Sequence, residues 1–167
     1  WGAREGCAHQ DGVADVGTRR KRASTDCAGR QRPTSRSQPS TTTQRTVILV
    51  DSSVWIDHLH KGDSRLVDLL LSDDVGCHPF VIQELAIGSL KDRDEVLSLL
   101  ANLRQFPVLA HAELLYLVEE RRLWGRGLNP IDAGLVGSVL LVDGAKLWTR
   151  DKRLHVVATE LGLAAFG

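Results

Sequence analysis

The stretch RTVILVDSSVWIDHL, residues 45–59, decides how the rest of the chain is read. Its apolar run Val47-Ile48-Leu49-Val50 is β-branched and continuous rather than alternating, the pattern of a strand buried on both faces. The run stops on Asp51, Ser52 and Ser53, and SSVWIDHL then reads as a short helix. A buried strand that hands over to a helix at an acidic residue is the opening unit of a parallel α/β domain.

What precedes this stretch is a different kind of polymer. Residues 1–46 carry nine Lys/Arg against four Asp/Glu, a surplus of +5, whereas residues 47–167 carry twelve against seventeen, a deficit of −5. The first part is rich in Arg, Ser, Thr and Gln and nearly without large apolar side chains, so it cannot bury enough surface to offset its ordering entropy. A disordered basic tail is expected there, either solvated or non-native sequence or an arm for nucleic acid. Its Arg- and Ser-rich composition faintly resembles a transit peptide, but no amphipathic stretch or signal-peptide core supports one. The domain proper is expected at 47–167, about 120 residues, enough for one core.

Three cysteines, Cys7, Cys27 and Cys77, match neither a zinc spacing nor a disulfide framework, which favours a reducing, cytoplasmic setting. No apolar run approaches the roughly eighteen residues of a membrane-spanning helix.

From residue 47 short apolar runs alternate with helical periodicity. Helices are predicted over LVDLLLS (66–72), over VIQELAIGSL (81–90) after Pro79, and around ELLYLVEERRLW. Val96, Leu99, Leu100 and Leu103 predict one apolar helix face. Asn129-Pro130 supplies a cap and a first-turn proline for a helix through IDAGLVGSVLLV, and Leu154, Val157 and Leu161 stripe a last one. VGCHPF (75–80), FPVLA (106–110) and KLWTR (146–150) are the further strand candidates. Strands alternating with helices predict a three-layer α/β/α domain with a central parallel sheet.

Ligand crevices of open α/β sheets lie beyond the carboxyl ends of the strands. Asp51 follows VILV, and Asp151 follows KLWTR. Either can be explained as the cap of the next helix. Glu84 stands in the largely apolar VIQELAI, where a charge needs a partner or solvent. Asp132 falls in the first turn of its helix, where the macrodipole alone favours a carboxylate. If all four converge, mutual repulsion raises their pKa values, and a hard divalent ion, Mg²⁺ or Mn²⁺, removes the conflict. Such an ion suits phosphodiester hydrolysis. Arg150, Lys152 and Arg153, with Arg121, Arg122 and Arg126, are candidate phosphate contacts or merely solvated charges. The scattered histidines form no metal or catalytic pattern and read as surface or packing residues.

VILVDSSVWIDHL, the Glu84 helix, NPIDAGLVGSVLL and LWTRDKRL occur in the order seen in PIN-domain proteins, and the resemblance is closest to the VapC-type toxins of bacterial toxin–antitoxin pairs. It covers residues 47–167, and the opening and TRD motifs together are fairly specific. The resemblance implies a compact α/β/α fold and a Mg²⁺- or Mn²⁺-dependent endoribonuclease of the bacterial cytoplasm that cuts single-stranded or loop regions of RNA, with tRNA or rRNA as candidate substrates, and so inhibits translation and growth. It places the metal-binding acids at Asp51, Glu84, Asp132 and Asp151, the last acting directly or through water. Ser52 and Thr149 take supporting roles. It further implies a homodimer and neutralisation by a VapB-type antitoxin. Family members commonly start just before the first strand, so residues 1–46 are expected to derive from translation upstream of a start near Val47.

Rival readings are a flap-type DNA nuclease, for whose DNA-threading elements the domain has little room, a degenerate PIN domain, and a non-catalytic receiver-like signalling module. The receiver reading requires a Lys ending a late strand, whereas Lys152 follows Asp151. Degeneracy would cost at least one of the four acids, and all are present.

Overall fold

The computed structural model describes residues 45–166; the expected disorder of the basic tail falls on residues 1–44, outside that range. Four short strands, β1 (Ile48–Val50), β2 (Val75–Cys77), β3 (Arg104–Gln105) and β4 (Lys146–Trp148), form one sheet in the order β3-β2-β1-β4. All three pairings are parallel, with Ile48 opposite Val75, Gly76 opposite Arg104, and Val50 opposite Trp148. Seven helices complete the described chain: α1 (Ser52–Lys61), α2 (Ser64–Leu71), α3 (Pro79–Ile87), α4 (Arg93–Asn102), α5 (His111–Glu120), α6 (Pro130–Leu140) and α7 (Lys152–Glu160).

The three residues of β1 and of β2 are all buried, although successive side chains point to opposite faces. Both faces of the sheet are therefore covered, the three-layer arrangement expected of a parallel α/β domain. Leu49, Val50, Val54, Leu66, Leu85 and Leu135 are among the core side chains shielded from water. Helix α6 is buried from Ala133 through Val139, as a helix apolar all round must be. Gly137 permits its close approach to α5, because a Cβ there would lie 2.5 Å from Leu109 Cδ2 and 2.8 Å from Leu117 Cδ2. No helix among the described residues is long and apolar enough to cross a membrane.

Four local expectations are corrected. The third strand is Arg104–Gln105, not FPVLA at 106–110. Its two residues are exposed at the sheet edge, so the apolar signal lies just past the ladder, where Phe106 plugs the core at 3% exposure. Leu99, expected on the apolar face of α4, is 62% exposed, while Leu100 carries the burial. Helix α5 ends at Glu120, leaving RRLW outside it; Arg122 there adopts φ +50°. Helix α3 starts at Pro79 itself, where a missing N–H costs nothing.

Candidate active site at the strand ends

The chain passes from β1 to β2 on one side of the sheet and returns later to place β4 on the other side of β1. The strand order thus switches between β1 and β4, the position at which open α/β sheets form their crevice. Asp51 and Thr149 follow these two strands directly. The Asp51 N–H donates to Trp148 O at 2.9 Å and ties the two strand ends together.

Asp51 is only 6% exposed and would be costly as a lone ion. Four donors meet it. Oδ1 accepts from Ser52 N at 2.8 Å and Ser52 Oγ at 3.3 Å, and Oδ2 accepts from Ser53 Oγ at 2.5 Å and Thr149 Oγ1 at 2.8 Å. The two hydroxyls facing Oδ2 are themselves oriented, since Ser53 Oγ accepts from Arg150 N at 3.0 Å and Thr149 Oγ1 accepts from Asp151 N at 3.0 Å. A hydroxyl with its lone pair engaged has its hydrogen aimed at the carboxylate. The sequence marks Ser53 only as part of the turn into α1, and the supporting roles expected from it fall on Ser52 and Thr149. The doublet after the acid was the available signal.

The capping explanations also hold. Asp51 caps α1, Asp151 Oδ1 caps α7 by accepting from Arg153 N at 2.8 Å and Leu154 N at 2.9 Å, and Asp132 forms a reciprocal box with Asn129. In the Asp132 box only Oδ2 is engaged, and in the Asp151 cap only Oδ1. Capping thus fixes these carboxyl groups while leaving one oxygen of each without a donor among the described residues. Glu84, half-buried on α3, has no hydrogen bond or ion pair among them.

Asp132 senses the other three acids. Burial raises the Asp132 pKa above the usual carboxylate value, the hydrogen bond from the Asn129 backbone lowers it, and the charges of Asp151, Asp51 and Glu84 each raise it further. Among the described residues, no three His, Cys, Asp or Glu side chains stand close enough to enclose a metal ion as placed. These two observations differ in range, because Coulomb coupling reaches farther than a ligand bond. All-oxygen carboxylate donors are the chemistry of a hard ion that keeps several waters, as Mg²⁺ does.

Of the candidate phosphate contacts, Arg150 pairs with Asp57 at 3.1 Å and Asp63 at 2.6 Å. Arg153 donates to Gly127 O at 3.3 Å, Arg126 pairs with Glu160, and Lys152 is exposed. Two other titratable groups nearby are structural. Burial pushes the Cys77 thiol up to about 11, and lowers the pKa of His78, whose Nδ1 accepts from Phe80 N at 3.0 Å to cap α3.

The PIN-domain family profile matches residues 48–160, spanning β1 through the last helix. The chain belongs to the PIN-domain family. Within it, the domain is 64% identical over 118 residues to a protein named Ribonuclease VapC32 in two strains of Mycobacterium tuberculosis. That alignment covers 71% of this chain and 95% of each relative, placing this PIN domain with the VapC type.

Proposed function

We propose that this PIN domain is a Mg²⁺- or Mn²⁺-dependent endoribonuclease toxin that cuts single-stranded or loop RNA, with Asp51, Glu84, Asp132 and Asp151 as its metal-binding acids. The observation that carries the reading is buried Asp51 at the β1–β4 switch, held by Ser52, Ser53 and Thr149, with Asp132 placed where the charges of Asp151, Asp51 and Glu84 reach it. The ribonuclease name of relatives 64% identical supplies the substrate class.

A divalent cation held by Asp51, Glu84, Asp132 and Asp151 would offset the charge of the acids and the phosphate and would lower the pKa of an attacking water. The protein's part is positioning. Thr149 and Ser53 hold Asp51 in one rotamer, so its charge is fixed before substrate arrives. The caps hold Asp132 and Asp151 with one oxygen each left for ligation. Glu84, without a protein partner, is the acid most in need of a counter-charge.

The same reading includes a cytoplasmic toxin that forms a homodimer, inhibits translation, and is silenced by a VapB-type antitoxin. An apolar groove of about 410 Å³ between α5 and α6, lined by Leu109, Tyr116, Leu117 and Leu140, supports burial against a protein surface. The domain starts at Val47 in this account, with the basic segment before it not needed for activity. Induced expression in a bacterial host tests the whole reading: growth arrest, fresh RNA ends mapped by sequencing, and rescue by a co-expressed antitoxin are expected. Growth unaffected by a soluble, folded domain would refute it.

A further inference from the structure

Beside the acids lies a pocket of a different character, about 550 Å³ in volume, whose lining includes Arg65, Trp148, Thr149, Lys152, His155 and Phe166. Thr149 is the shared wall, because this residue lines the pocket while its hydroxyl donates to Asp51 and accepts from Asp151 N. Whatever fills the pocket is a neighbour of the acidic site.

The pocket's aromatic floor is built by the chain end. Leu147 N donates to Leu163 O at 2.7 Å and Ala165 N to Leu147 O at 2.9 Å, extending the sheet past β4. This brings Phe166 edge-on to Trp148, with ring centroids 5.0 Å apart and planes at 81°. The guanidinium of Arg65, from α2, lies 4.5 Å from the centre of the Phe166 ring. Arg65 has no carboxylate partner among the described residues, whereas Arg150, at the same pocket, is neutralised by Asp57 and Asp63. The two arginines therefore do different work. Arg150 ties the end of β4 to α1 and to the cap of α2, and Arg65 remains a planar cation backed by an aromatic ring. Exposed Lys152 adds positive charge at the start of α7, and half-exposed His155 adds a ring N–H that can donate to an anion.

A cationic plane stacked on an aromatic ring, beside a lysine and a histidine, matches an unpaired nucleotide: a base for the plane and a phosphate for the charge. We propose that this pocket binds the nucleotide next to the phosphate being cut, its base stacking on the Arg65–Phe166 platform and its phosphate meeting Lys152 and His155. A base held in a duplex offers no free face to such a platform, so the pocket selects single-stranded RNA. This inference rests on the ribonuclease reading above.

Binding measured in the Asp51→Asn background, where the RNA stays intact, tests it. The probes are a short fluorescent single-stranded RNA and its fully abasic counterpart. Arg65→Lys keeps the charge and loses the plane, so it weakens binding of the base-bearing RNA about tenfold and leaves the abasic RNA unaffected. Lys152→Ala weakens both equally and reduces the slope of log affinity against log salt by about 0.7. Equal losses on the two RNAs for Arg65→Lys, or no loss, would overturn the subsite. If the unsubstituted protein cleaves RNA while Arg65→Lys binds normally, the subsite falls and the ribonuclease reading stands. If the unsubstituted protein cleaves no RNA, the ribonuclease reading falls and the subsite with it.

Discussion

At the scale of single residues, substitutions can separate the capping role of the acids from the metal-binding role proposed for them. Thr149→Val keeps the shape of the buried side chain but removes the hydroxyl between Asp51 and Asp151 N. Cleavage is expected to fall about 10–100-fold, the usual cost of losing a group that orients a metal-binding carboxylate, with the circular dichroism spectrum unchanged. Undiminished cleavage would mean that Asp51 needs no such support. Asp132 makes a pH prediction. Its folded-state pKa is raised, first by burial, so its contribution to stability is full below the unfolded pKa and is lost as pH rises through the folded value. In the presence of EDTA, Asp132→Asn should therefore melt above wild type at neutral pH, because Asn keeps the cap and removes the repelled charge. The gap should close on acidification, as wild-type Asp132 becomes neutral too. A neutral-pH melting temperature equal to or below wild type would contradict this origin of the shift.

At the scale of elements, the long apolar signals were legible and the short edge signals were not. VILV announced β1 because a strand buried on both faces leaves a continuous β-branched run. NPIDAGL announced α6 because its cap and first-turn proline are local chemistry. Edge strand β3 left no such trace: two exposed residues pair with Gly76 and Cys77, and the only apolar clue, Phe106, sits after them. Phe106 also explains Gly76, since a Cβ there would intrude on its ring. Gly76→Ala should destabilise the domain by about 1–3 kcal/mol in chemical denaturation, through overpacking between β1 and β3. A cost near zero would show that the ring moves aside freely. The cap of α7 gives a sharper comparison. Asp151→Ala should cost about 1 kcal/mol, whereas Asp151→Asn keeps an acceptor for Arg153 N and Leu154 N and should be nearly neutral in stability. Impaired cleavage in the Asn variant then reports the lost charge and not a frayed helix.

At the scale of the whole molecule, the sequence shows the four acids in order but not how they share space. The placement of Asp51 and Asp151 at adjacent strand ends follows from the parallel order alone. The coupling of Asp132 to them and to Glu84 depends on how α3 and α6 pack, and no local pattern encodes that. The meeting of Arg65 with Phe166 is less legible still, joining α2 to the final residues through the short extension beyond β4. The metal-binding role proposed for the acids predicts that divalent ions stabilise the fold, because an ion that binds only the folded state stabilises it. At one hundred times its Kd the gain is about 2.7 kcal/mol, visible as a melting temperature raised by Mg²⁺ or Mn²⁺ and returned by EDTA. The most direct test of the central claim is a gel assay of single-stranded RNA incubated with Mg²⁺ and either wild type or Asp51→Asn, each first verified to be folded. The four-carboxylate account predicts cleavage by wild type, none with EDTA, and none by the Asn variant. Undiminished cleavage by Asp51→Asn would contradict it.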